Sequence, residues 1–142
     1  GRWDGVNPSE YNFVKTARAI SGAHRMCAYW PTPITFLGWE IGDPVHTGDN
    51  ISEDDPLRKA LIDYGCEAGR SSWDPMTALL AVVDDPEKAG YSIVSGRAFA
   101  EEGTGHCSFV EDANGPHRYV VKLHPDAWYE EQINKRLPLI VH

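Results

Sequence analysis

Residues 30–42 of the chain read WPTPITFLGWEIG, and the fold prediction depends on this stretch. Within it, residues 34–41 form a short apolar run rich in β-branched and aromatic side chains, a pattern typical of a strand buried in a parallel sheet. Pro31 and Pro33 end the helix that precedes the run, because a residue before proline avoids the α region. The stretch therefore predicts a buried strand that follows a helix.

Apolar residues on either side repeat at helical or strand spacing. Upstream, residues 1–9 predict a loop and residues 13–29 a helix. Downstream, helices are predicted at 56–66, 76–83 and 126–137, a turn at 69–72, and strands at 91–95, 107–110 and 119–123. Alternating strands and helices followed by a strand pair predict an α/β fold, with helices flanking an open mixed sheet.

Composition excludes several classes of protein. The chain has 142 residues, 42% of them hydrophobic and 24% charged, which is typical of one globular domain. Its net charge is -8 and the sequence contains no stripe of basic residues, so we expect no nucleic-acid partner. No apolar run approaches the roughly 20 residues that span a bilayer, so we expect no membrane partner. The N-terminus does not resemble a signal peptide, and the compartment stays open, with the cytoplasm favoured over secretion.

Cysteines and histidines occur without the spacing of a metal or redox motif. The three cysteines, Cys27, Cys66 and Cys107, form no C-x-x-C pair, and we expect buried free thiols. The histidines at positions 46, 106 and 117 match no zinc motif, and we expect them at the surface. Motifs of serine hydrolases and phosphate-binding loops are also absent from the sequence.

The first candidate for chemistry is Glu10-Tyr11-Asn12, at the end of the polar N-terminal loop. Residues two apart in an extended segment point the same way, so Glu10 and Asn12 can enter one pocket together. A carboxylate beside an amide suits sugar hydroxyls, which both donate and accept hydrogen bonds. The alternative is a helix N-terminus, at which both side chains satisfy free backbone N–H groups.

A second candidate is Ser72-Trp73-Asp74-Pro75, where a turn meets a helix. Asp74 offers hard oxygen ligands for calcium, and Trp73 offers a surface on which a flat ring can stack. The alternative interpretation makes Asp74 the N-cap, Pro75 the first helical residue and Trp73 a packing residue.

The third candidate is Trp39-Glu40, at the predicted end of the strand over residues 34–41. Ligands of open α/β sheets bind beyond the carboxyl ends of strands, so both side chains are suitably placed. A core tryptophan beside a solvated glutamate is equally compatible with the pattern.

Taken in order, these segments resemble the C-terminal half of an inosine/uridine-preferring nucleoside hydrolase. The resemblance rests on Glu10-x-Asn12-Phe13, on the strand at 33–41 with Gly42, on the Trp73-Asp74-Pro75 helix start, and on the closing strand pair. It covers nearly the whole chain but only about half of the family's usual length. It implies part of a Rossmann-like fold with an open mixed sheet.

The resemblance also implies an activity and a set of site residues. Family members hydrolyse the N-glycosidic bond of a ribonucleoside to free base and ribose, with a calcium ion that binds the 2′- and 3′-hydroxyls and the attacking water. Asp74 matches a calcium ligand, and Glu10 and Asn12 match the pair that binds the ribose hydroxyls. Trp73 stands where many members have histidine, as in the purine-preferring branch, and Tyr11 offers a second aromatic face.

The family's aspartate-rich N-terminal motif is absent from this sequence. Asp74 alone gives at most two of the six to eight oxygens that calcium requires. We therefore expect residues 1–142 to be the C-terminal portion of a longer nucleoside hydrolase-like domain, inactive by itself and part of a homo-oligomer in the full-length protein. The alternatives are a non-catalytic ligand-binding or interaction module derived from such an enzyme, and an unrelated α/β domain.

Overall fold

A computed structural model of the chain describes residues 1–138. The structure is mixed α/β, and its elements follow in the order α1 (Tyr11–Val14), α2 (Ala17–Tyr29), β1 (Ile34–Phe36), α3 (Trp39–Gly42), β2 (His46–Thr47), α4 (Pro56–Asp63), β3 (Arg70–Ser71), α5 (Trp73–Val83), β4 (Tyr91–Ala100), β5 (Cys107–Glu111), β6 (His117–Lys122) and α6 (Asp126–Asn134). Four strands form a sheet in the order β1-β6-β4-β5, and β2 and β3 form a second sheet. Since β1 and β6 are parallel and β4 and β5 antiparallel, the larger sheet is mixed, as predicted.

The chain divides into two compact units, each made of two separate segments. Unit 1 comprises Gly1–Glu40 and Ser92–Val121, and unit 2 comprises Ile41–Tyr91 and Lys122–His142. Unit 1 contains α1, α2 and most of the four-stranded sheet, whereas unit 2 contains the β2–β3 pair, α4, α5 and α6.

The core of unit 1 is built around a tryptophan from the N-terminal loop. The Trp3 ring is buried and meets Phe36 edge-on, with 5.0 Å between the ring centroids, and meets Phe13 and Phe109 at 6.2 Å. Helix α2 adds Ala23 and the sheet adds small side chains, so one face of each packs against the indole. Edge-on aromatic pairs contribute about 0.5–1.5 kcal/mol beyond their burial.

Two glycines allow the connection between β5 and β6 to pass close to β4. A Cβ on Gly115 would lie 2.7 Å from the Gly96 Cα and would collide with its carbonyl. A Cβ on Gly96 would collide with the Phe109 ring and the Val110 carbonyl. Backbone packs directly on backbone here, which only residues without a Cβ permit.

Unit 2 has its own core, in which two tyrosines stack. The rings of Tyr91 and Tyr129 are 5.3 Å apart with an angle of 24° between their planes, and both residues are buried. The Tyr91 hydroxyl donates to the Met76 carbonyl at 3.3 Å, and the Tyr129 hydroxyl donates to the Gly90 carbonyl. Each hydroxyl therefore has a partner, as burial of a tyrosine requires.

The helix predicted at residues 13–29 is interrupted. Residues Tyr11–Val14 form a single turn, and a new helix begins at Ala17. Thr16 is extended between them, with φ -146° and ψ 159°, and its side chain accepts a hydrogen bond from the Ala19 N–H. Thr16 is therefore the N-cap of a separate helix, and the helical spacing of apolar residues over 13–29 does not reveal this break.

The strand predicted at residues 34–41 is too long, because β1 ends at Phe36. The next residues turn into the short helix Trp39–Gly42, and the Trp39 N–H donates to the Gly1 carbonyl at 2.8 Å. Glu40 folds back over Gly38, where a Cβ would collide with its carboxylate. Trp39 and Glu40 therefore do not lie at the end of a strand.

Other predicted boundaries shift, although the elements exist. Helices α4 and α6 end earlier than predicted, at Asp63 and Asn134, and the strand predicted at 91–95 extends to Ala100. The closing strand spans His117–Lys122, and the turn predicted at 69–72 contains the short strand Arg70–Ser71.

Candidate functional site

Asp74 lies in the first turn of α5, not at its N-cap. The N-cap is Ser72, so the helix begins at Trp73, and Pro75 is its third residue. The prediction of Asp74 as the cap is therefore wrong, because Ser72 already occupies that position. Asp74 is exposed, and within residues 1–138 its carboxylate accepts no hydrogen bond. A carboxylate in the first helical turn is also stabilised by the helix dipole.

Trp73 and Asp74 line one cavity of unit 2, with a volume of about 220 Å³. We call it the Asp74 cavity. Its lining consists of hydroxyl side chains, aliphatic side chains from α4, and the start of α5: Thr47, Leu57, Leu61, Arg70, Ser71, Ser72, Trp73, Asp74, Pro75 and Leu137.

The hydroxyl groups of the Asp74 cavity use their protons on the protein itself. Ser72 donates to the Arg70 carbonyl at 3.1 Å, and Ser71 donates to the Asp43 carbonyl at 2.9 Å. A hydroxyl has one proton, so Thr47 is the donor in its 2.7 Å bond to the Ser72 oxygen. Thr47 and Ser72 are also buried, so the Asp74 carboxylate is the exposed acceptor of this lining, and Arg70 adds a cationic side chain.

Trp73 is positioned by direct backbone contact with Gly42. A Cβ on Gly42 would lie 2.6 Å from both the nitrogen and the Cα of Trp73. The Ser72 N–H donates to the Gly42 carbonyl at 2.9 Å. The glycine that follows the predicted strand thus positions the start of α5, a role that no local sequence pattern indicates.

Glu10 and Asn12 bind each other at the start of α1 in unit 1. The two carboxylate oxygens of Glu10 accept from the Asn12 backbone N–H and from its side-chain amide, each at 3.1 Å. Glu10 is only 7% exposed, and its carboxylate lies 3.6 Å from the Gly1 nitrogen. This is the geometry of the helix N-terminus interpretation, and the binding of ribose stays a prediction.

Tyr11 lies between these two residues in the chain and is exposed. Its side chain is 65% exposed, and the Lys15 ammonium lies 4.7 Å from the ring centroid. The structure thus brings Glu10 and Asn12 together at one helix start in unit 1, and Trp73 and Asp74 together on one cavity in unit 2.

Trp39 and Glu40 contact the N-terminal segment of unit 1. Glu40 accepts a hydrogen bond from the Trp3 N–H at 3.3 Å, and the Arg2 guanidinium lies 4.4 Å from the centre of the Trp39 ring. Both side chains therefore position backbone and a neighbouring cation.

His117 is buried, so the prediction of a surface position is wrong. Its side chain is 3% exposed, and Nδ1 accepts from the Ala98 N–H at 3.0 Å. Burial, with a smaller contribution from the nearby Arg97, lowers the pKa of His117. Because it accepts this hydrogen bond, Nδ1 carries no proton. His46 and His106 are exposed, as predicted.

All three cysteines are free, as predicted, although Cys66 is only half-buried. Burial raises the pKa of the Cys27 thiol to about 11, which keeps it protonated. Within residues 1–138, no group of three His, Cys, Asp or Glu side chains is arranged to bind a metal ion.

Comparison with known proteins gives no relative. The chain matches no protein-family model, no curated protein and no solved structure. Among the helices of residues 1–138, none is long and apolar enough to cross a membrane.

Proposed function

We propose that this chain is the C-terminal part of a nucleoside hydrolase, which cleaves the N-glycosidic bond of a ribonucleoside to free base and ribose. The observation that supports the proposal best is the exposed carboxylate of Asp74 on the Asp74 cavity. Ribose hydroxyls carry protons, so they can donate to the Asp74 carboxylate, whose oxygens no group of residues 1–138 uses. A carboxylate near the anomeric carbon also favours an oxocarbenium-like transition state.

Trp73 supports a purine as the base. Trp73 lines the same cavity as Asp74 and is its neighbour in the chain. A flat bicyclic base stacks well on an indole, and stacking aids departure of the base without a histidine at this position.

Calcium enters the proposal only as an ion shared with another part of the protein. Asp74 can give at most two oxygens, and calcium takes six to eight. When bound, the ion would lower the pKa of a water molecule and orient it. The task of this chain would be to supply one carboxylate, to bind the ribose diol and to place Trp73 beside the base.

The test uses a complete protein in which this chain follows an aspartate-bearing segment upstream of Gly1. We expect calcium-dependent release of ribose from inosine, and a loss of at least about a hundredfold in Asp74→Asn, since even residues that only orient metal ligands cost about 10- to 100-fold when mutated. Asp84→Asn is the matched control, because Asp84 is an exposed aspartate at the other end of the same helix. Equal activity of the two variants would reject the role of Asp74.

A non-catalytic module derived from such an enzyme is the second candidate. It is favoured by Glu10, whose carboxylate is buried and already occupied by Asn12. This function predicts binding of inosine without release of ribose, so calorimetry and a ribose assay on the same complete protein distinguish the two candidates.

A further inference from the structure

Two side chains of α6 bind the backbone of β2 and of Gly48, the residue that follows it. The Glu130 carboxylate accepts from the His46 N–H at 3.0 Å, and the Asn134 side-chain oxygen accepts from the Gly48 N–H at 2.9 Å. Residues four apart lie on one face of a helix, and N–H groups two residues apart lie on one edge of an extended segment. The two spacings match, so α6 substitutes for a neighbouring strand along this edge.

Gly48 is fixed on both sides of its backbone. While Asn134 accepts from its N–H, its carbonyl accepts from Arg58 Nη1 at 3.1 Å, and the same nitrogen donates to the Glu67 carbonyl at 2.8 Å. Gly48 has φ +95°, and a Cβ there would collide with Leu61. The end of β2 is therefore determined by contacts with α6 and α4 together.

The opposite edge of β2 leads to Asp74. His46 pairs with Ser71 and Thr47 pairs with Arg70, in an antiparallel ladder. The Thr47 hydroxyl then bonds to that of Ser72, the N-cap of α5. Hydrogen bonds, together with the backbone of β2, thus connect α6 to the helix turn that carries Asp74.

We infer that Glu130 and Asn134 are positioning residues for the Asp74 cavity: they fix β2, and β2 fixes the start of α5. The ligand class of the cavity rests on the proposed function, whereas the positioning itself does not. The competing explanation is that the two side chains only add stability to unit 2, in which case removing them affects all amides of the unit alike.

The experiment is amide hydrogen exchange followed by NMR on residues 1–142. Asn134→Leu keeps the size of the side chain and removes the acceptor, and Asn134→Asp keeps an acceptor and serves as the rescue. Glu131→Gln is the matched control, because Glu131 lies on the same helix and, within residues 1–138, its carboxylate pairs only with the exposed Lys135. Glu130→Met tests the second contact in the same way.

We expect Asn134→Leu to speed exchange about five- to tenfold at Gly48 and also at Ser72, with buried amides of the α5 core such as Leu79 unchanged. Asn134→Asp and Glu131→Gln should leave the Ser72 amide unaffected. Faster exchange at Gly48 alone, or a uniform increase across unit 2, would overturn the inference. Should Asn134→Leu fail to fold, Asn134→Ser removes the same contact with a smaller change, and the same amides decide.

Activity of the complete protein separates this inference from the proposed function. With both correct, Asn134→Leu raises the KM for inosine more than it lowers kcat, and Asn134→Asp restores it. Ser72 exchange that responds in a protein without ribose release would support the positioning role and reject the proposed function. Exchange that does not respond in an active protein would do the reverse.

Discussion

Glu10 and Asp74 are two acidic residues at helix starts, but the first is buried and the second is exposed. Glu10 is itself the N-cap of α1, so its carboxylate is buried and bonded to Asn12. At α5 the N-cap is Ser72, so Asp74 stands two residues later, and its carboxylate is exposed on a cavity. A carboxylate at the cap position thus stabilises the helix start, whereas the carboxylate two residues after the cap stays exposed.

The largest change in stability is expected when the backbone beneath Asp74 is displaced. Gly42→Ala places a methyl group 2.6 Å from the Trp73 backbone, which cannot move without shifting the start of α5. We expect a loss of about 2–3 kcal/mol in the free energy of unfolding, measured by urea denaturation. Gly22→Ala is the control, because nothing lies within 4 Å of a Cβ at that position. Equal stability of the two variants would show that α5 is not positioned by Gly42.

Removal of the Glu10 carboxylate tests whether this group stabilises the fold. Glu10→Ala leaves the Asn12 N–H without its acceptor, and the loss of an N-cap costs about 1–2 kcal/mol. Glu10→Gln keeps one acceptor oxygen and should recover part of that stability. An unchanged urea midpoint in Glu10→Ala would mean that the carboxylate is not needed for the fold.

His117, like Glu10, is a buried titratable residue that accepts a hydrogen bond from a backbone N–H. Its folded pKa is lowered, so the neutral form is the native one, and its contribution is complete above the unfolded pKa of about 6.5. As the pH falls below that value, stability should decrease by about 1 kcal/mol through this group. His117→Gln keeps an acceptor and does not titrate, so its urea midpoint should fall less between pH 7.5 and 5.5. Parallel profiles of the two proteins would contradict this role.

The smallest effect is expected for Asp74 itself. Because its carboxylate is exposed and accepts no hydrogen bond within residues 1–138, Asp74→Ala should change the free energy of unfolding by no more than about 0.5 kcal/mol. Thermal denaturation of the Asp74→Ala and Glu10→Ala proteins side by side measures the contrast directly. A larger loss of unfolding free energy in Asp74→Ala would show that this carboxylate stabilises the fold.

The sequence predicts elements that local patterns determine, and it fails where distant residues intervene. The mixed sheet and the end of α2 follow from the strand and helix patterns and from proline positions. The end of β1 does not, because it depends on a hydrogen bond between Trp39 and Gly1. His117 has no local feature that distinguishes a buried histidine from an exposed one.

At the candidate site the same limit applies. Ser72 and Asp74 are both good caps, and Pro75 favours Asp74, whereas the hydroxyl contact of Ser72 with Thr47 is visible only in three dimensions. The sequence predicts Trp73 and Asp74 as ligand-binding residues from their type and position, whereas the cavity that they line is visible only in the structure. The roles of Gly42, Glu130 and Asn134 were not predictable, because each acts on a segment remote in sequence.

The division of the chain has a consequence for its synthesis. Each unit is assembled from two segments, with residues 41–91 of unit 2 inserted between the halves of unit 1. The apolar faces of α2 and β1 must therefore leave the ribosome long before the strands that cover them. At about 5–20 residues per second this interval lasts several seconds, during which a nascent chain is most exposed to aggregation and to chaperones.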